Sequence, residues 1–100
     1  MPVWSDSRMT IAYYNTYVAD EDLHCEVRID GSTIVVSYRG LEEEGLVVYK
    51  GKKQGEGHYV LDCPDKQGKA TLHHLENSIY LTGYWTEVRQ KGFWRITLRE

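Results

Sequence analysis

A basic excess is missing. Lysine and arginine number 12 against 15 acidic residues, a net charge of −3. A protein that lives on phosphate contacts carries a positive balance, so nucleic acid is not the expected main partner. Long apolar runs are missing too, and no stretch is long enough to span a bilayer. The start, Met1-Pro2-Val3-Trp4-Ser5-Asp6, has neither the basic residues nor the apolar stretch of a secretory signal. The expectation is a cytoplasmic protein with no membrane partner. Cysteine is scarce: Cys25 and Cys63 are too few for a disulfide framework. Both fall in phase with apolar residues, which reads as buried thiols acting as small hydrophobes.

Tyrosine and tryptophan are plentiful, at 8 and 3 of 100 residues. That balance favours strands over helices, and the length fits one domain spanning residues 1–100. Period-two alternation broken by turn residues runs through most of the chain. In Leu23-His24-Cys25-Glu26-Val27-Arg28-Ile29-Asp30, the apolar residues face one side and the polar ones the other. Asp30-Gly31 is a tight-turn signal. Further strands are predicted over 32–39, 46–50, 58–63, 68–75, 78–88 and 92–99. Loops separate them at Asp20-Glu21-Asp22, 40–45, 51–57, 64–67, Glu76-Asn77 and Arg89-Gln90-Lys91. Residues 8–19 admit two readings. Met9, Ala12, Tyr13 and Tyr17 sit at helical spacing behind a Ser7 cap, but the segment is mostly strand formers, which favours a strand.

Eight strands on short loops predict an all-β fold, an eight-stranded antiparallel up-and-down β-barrel, with a two-sheet β-sandwich as the alternative. Phase suggests a register in which Trp85 opposes Trp94, Glu87 opposes Gly92, Leu61 opposes Leu72 and Tyr59 opposes His74. The up-and-down path gathers the loops at 20–22, 40–45, 64–69 and 89–91 at one end. Tyr38, Trp85, Glu87 and Trp94 are the inner residues near that mouth. Aromatics beside one carboxylate make a ligand pocket plausible there.

The polar residues offer less. The glycine-rich stretch 51–57 lacks the Gly-Lys-Ser/Thr ending of a phosphate loop. His24, His58, His73, His74, Cys63, Asp62 and Glu76 do not converge as metal ligands must; His58 and His73 are expected as diagonal neighbours on the outer face. Neither a Cys–His pair nor a nucleophile elbow has its context, and no residue pattern implies a cofactor. His74 and Glu87 are the polar residues on otherwise apolar inner faces. A bland account has His74 bonded to the Tyr59 hydroxyl and Glu87 in water at the rim; a sharper one has them orient a ligand. Tyr49, Tyr80, Tyr84 and Phe93 are expected to point outward, and exposed aromatics tend to mark a partner surface.

The segment Gly83-Tyr84-Trp85-Thr86-Glu87 through Gly92-Phe93-Trp94-Arg95-Ile96-Thr97-Leu98 resembles the closing strands of lipocalin-like and avidin-like barrels. The resemblance implies a barrel of eight short strands with tryptophans along a cavity, and binding rather than catalysis. The lipocalin Gly-x-Trp lies near the start of that fold, whereas Gly92-Phe93-Trp94 lies near this end, so no binding residue is carried over. The expected function is a non-enzymatic binding module taking a partly apolar small ligand, with Tyr38, Tyr59, His74, Trp85, Glu87 and Trp94 as its site. One alternative is a protein-interaction or homodimerisation barrel with a filled core, using the outer aromatics or the acidic loop Glu42-Glu43-Glu44. Another is an enzyme with His74 and Glu87 as acid and base.

Overall fold

The computed structural model describes residues 3–40 and 45–100; the acidic loop Glu42-Glu43-Glu44 lies outside them. Eight strands follow one another among these residues: β1 (Val3–Tyr13), β2 (Ala19–Asp30), β3 (Thr33–Arg39), β4 (Leu46–Lys53), β5 (His58–Cys63), β6 (Gly68–His74), β7 (Tyr80–Thr86) and β8 (Lys91–Thr97). Each pairs antiparallel with the next, and β1 closes on β8 from Arg8↔Thr97 to Tyr13↔Gly92. The result is the closed up-and-down barrel; that closure overturns the sandwich alternative. It is also the architecture that the resemblance to lipocalin-like and avidin-like barrels implied. No helix among the described residues is long and apolar enough to cross a membrane.

Alternation decides which side chains enter the barrel. Toward the Asp30–Gly31 turn the inside is aliphatic: Val27, Ile34, Leu61, Leu72, Leu81 and Ile96 are all 0% exposed. Toward the other end it becomes aromatic, with Tyr38, Tyr49, Trp85 and Trp94 buried. Glycines make room for these rings. A Cβ on Gly92 would stand 2.7 Å from the Trp85 ring and 1.8 Å from the Ala12 carbonyl oxygen. One on Gly68 would stand 2.3 Å from the Tyr49 hydroxyl.

Several expectations are corrected. The strand favoured for residues 8–19 is present as far as Tyr13, but β1 already starts at Val3, so Trp4 packs against the core. Asp20-Glu21-Asp22 belongs to β2, not to a loop. The chain takes up an extra residue there as a bulge facing Thr10, with Asp22 at φ 56°, between the pairs Met9↔Leu23 and Ile11↔Asp20. The connecting loop is 14–18 instead. Similarly, Gly51–Lys53 is strand, and Ile79, within the strand expected over 78–88, precedes β7 and is exposed.

Both inferred registers are two residues off. The pairs are Trp85↔Gly92, Gly83↔Trp94, Leu61↔Ala70 and Tyr59↔Leu72. The cause is tighter turns than expected. Glu87 and Gln90 exchange backbone hydrogen bonds around Val88–Arg89. Pro64–Lys66 forms one 3-10 turn, closed by Gln67 in the left-handed region at φ 51°. A slip of two keeps every side chain on its face but changes its neighbours.

Tyr49 was expected outside and is inside, 1% exposed. Leu46-Val47-Val48-Tyr49 is apolar throughout, so alternation carried no phase there. Pairing with β3 sets it: Val36↔Tyr49 and Tyr38↔Val47 place Val47 and Tyr49 inward, leaving Leu46 and Val48 exposed.

Candidate functional site

At the aromatic end the barrel mouth holds a half-open cavity of about 560 Å³. Four of the six expected site residues line it together: Tyr38 from β3, Trp85 from β7, Trp94 from β8, and Glu87 one residue past β7. The other two do not. Tyr59, opposite Leu72, is buried toward the aliphatic end. His74 is also there, opposite Leu81, and its Nε2 lies 2.6 Å from the Ser78 carbonyl oxygen rather than on the Tyr59 hydroxyl. That carbonyl becomes available because the chain turns after β6, with Asn77 at φ 63°. Leu81 and Glu87 are six strand positions apart, so His74 and Glu87 are separated by roughly 20 Å along the sheet and do not form one acid–base pair.

Glu87 is not in open water. Its side chain is 16% exposed, its Oε2 accepts a hydrogen bond from the Tyr49 hydroxyl at 2.7 Å, and its Oε1 lies 3.6 Å from the Lys66 ammonium. The tight Val88–Arg89 turn holds Glu87 against the barrel mouth, and the Pro64–Lys66 turn brings Lys66 across to it. Burial pushes the Tyr49 phenol well above its usual range, and the hydrogen bond and charge of Glu87 push it further. Tyr49 therefore remains a neutral donor at physiological pH.

A second pair stands across the mouth. The Tyr13 hydroxyl donates to Asp20 Oδ2 at 2.6 Å, and both residues line the cavity. Tyr13 meets Trp85 edge to face at 5.5 Å, and Tyr49 meets Trp94 in the same manner at 5.2 Å. The indole N–H of Trp85 donates to the Phe93 carbonyl, and that of Trp94 crosses β7 at Gly83 to reach the Thr71 carbonyl at 3.0 Å. The tryptophans are thus fixed to the wall by their polar edges.

Tyr13, Asp20, Tyr49 and Lys66 were missed in the sequence. Asp20 and Lys66 read as solvated loop residues, and Tyr13 sat in the segment with two readings. Tyr49 sat in the all-apolar run Leu46–Tyr49, where only pairing with β3 sets which side chains face inward.

Elsewhere, burial pushes the Cys25 thiol up to about 12, with Arg8 opposing in part; a thiol held protonated is a poor nucleophile. His58 and His73 are directly opposed rather than diagonal, with ring centroids 6.1 Å apart. Among the described residues, no group of three His, Cys, Asp or Glu side chains is placed to hold a metal ion. On the outer wall, Tyr84 opposes Phe93, and both are about half exposed, as is Tyr80 beneath Arg95. Compared with protein-family models, curated proteins and solved structures, the chain finds no significant match.

Proposed function

We propose that this barrel is a non-enzymatic binding module that takes one small, partly apolar ligand into the cavity at its aromatic end. The observation that carries the reading is the cavity itself: about 560 Å³, walled by Tyr38, Trp85 and Trp94 and edged by Glu87. Pockets of this size and mixture, apolar walls with a few converging polar groups, suit small organic molecules. A barrel whose only task was to be stable would gain from filling that volume with side chains. The ligand's apolar body would lie against the indoles, and its polar end would meet Glu87. The same reading keeps the protein in the cytoplasm, where Cys25 and Cys63, both free and buried, stay reduced.

Native mass spectrometry of protein purified from cells, before and after denaturation, tests this. An adduct lost on denaturation is the expected result and supplies the ligand's mass. Trp85→Ala should weaken binding of that ligand at least about tenfold, since a buried aromatic wall contributes more than 1.4 kcal/mol. Unchanged affinity would overturn the reading.

A second reading, a homodimer or protein partner docked on the outer wall, draws on the exposed Tyr84–Phe93 pair. It predicts a dimer or a co-purifying protein, with no small adduct, in the same spectra.

A further inference from the structure

The cavity lining has a repeated unit. Tyr13 donates its phenol proton to Asp20 and stands edge-on to Trp85; Tyr49 donates to Glu87 and stands edge-on to Trp94. In both units the phenol proton is committed to a carboxylate. Both indole N–H groups are committed as well, to the carbonyls of Phe93 and Thr71 in the barrel wall. What these six side chains can turn toward a ligand is therefore lone pairs and π faces, all of one electrostatic sign. A carboxylate behind a phenol adds to that sign.

The cations on the lining do not reverse it. Lys66 lies 3.6 Å from Glu87 and answers that charge. Arg39 is an exposed residue at the rim. Asp20 enters no salt bridge among the described residues. An anionic ligand would have to sit beside two carboxylates and draw Lys66 away from Glu87. A cationic one gains Asp20 and the ring faces together, while Glu87, still paired with Lys66, keeps the charge of that side of the mouth from turning positive.

We propose that the ligand is an organic cation: an amine or ammonium group on an apolar, preferably aromatic, body, with the charge held toward Asp20 and Glu87 and the body against Trp85 and Trp94. This rests on the reading of the barrel as a ligand-binding module, and the test separates the two.

Isothermal titration calorimetry at pH 7 compares three probes that share a phenyl ring: phenethylamine, 2-phenylethanol and 3-phenylpropionate. The amine should bind at least about tenfold tighter than the alcohol, and the carboxylate more weakly still. Asp20→Asn and Glu87→Gln keep an acceptor for each phenol. Each should lower the amine's affinity about fivefold or more and leave the alcohol's unchanged. Alcohol or carboxylate binding as tight as the amine would overturn the cation assignment and leave a ligand cavity standing. No binding of any probe at millimolar concentration would overturn the binding-module reading, and the cation assignment with it.

Discussion

Toward the Asp30–Gly31 turn the barrel is packed by aliphatic side chains, and Leu61, Leu72, Leu81 and Ile96 have no exposed surface. Toward the Val88–Arg89 turn strands β1–β4, β7 and β8 border a half-open cavity lined by Tyr13, Tyr38, Tyr49, Trp85 and Trp94. The backbone hardly differs between the ends; the side chains do. Branched aliphatic residues interdigitate from facing strands and leave no void. Aromatic rings anchored by hydrogen bonds to the wall or to carboxylates cannot collapse inward to close the gap. Tight packing is thereby concentrated at one end, and open volume is left at the other.

The largest expected effect falls on the packed end. Leu72→Ala should cost about 3 kcal/mol of unfolding free energy in urea denaturation, the range for a fully buried leucine. Ligand or probe affinity of the folded protein should be unchanged. Loss of affinity in the folded variant would break the separation of the two ends.

Next comes Tyr49→Phe, which removes the bond to Glu87 but keeps the ring. It should cost about 1.5 kcal/mol, as for a hydrogen bond to a charged acceptor. The same residue predicts an alkaline signature. Its folded-state pKa is raised above the ordinary 10.0, so its contribution is fully present below pH 10. Above that, the unfolded chain releases the proton and the folded one does not, and stability falls by about 1.4 kcal/mol per pH unit. Cys25, raised from 9.0 to about 12, acts in the same direction over the window between those values. Urea titrations between pH 9 and pH 11 should therefore show a shallower decline for Tyr49→Phe than for the wild type. Equal slopes would mean that the phenol at the open end contributes nothing to the linkage.

The smallest effect belongs to the outer wall. Tyr84→Ser or Phe93→Ser should change stability by less than about 1 kcal/mol, the scale of one cross-strand pair. Sedimentation velocity of these variants bears on the outer-face reading. A wild-type dimer that either substitution converts to monomer would make that wall an interface.

The closed end was legible in the sequence because its signal is local. In Cys25 to Asp30 and at Ile96 and Leu98, polar and apolar residues alternate cleanly, and alternation is all that facing requires. Tyr38, Trp85, Glu87 and Trp94 were legible at the mouth for the same reason, since position along an up-and-down path places each at one end. His74 and Tyr59 were drawn into the same group by inward phase alone, which carries no information about height in the barrel.

Composition, spacing and phase determined the strand count, the meander and the inward face, because each depends on residues a few positions apart. The tertiary structure decided the register, the bulge at Asp22 and the inward turn of Tyr49. It also decided the meeting of Tyr13 with Asp20 and of Tyr49 with Glu87. Those depend on turn geometry and on partners from other strands; Tyr49 and Glu87 are 38 residues apart. A two-residue difference in a hairpin is invisible to alternation, yet it selects which side chains share the cavity.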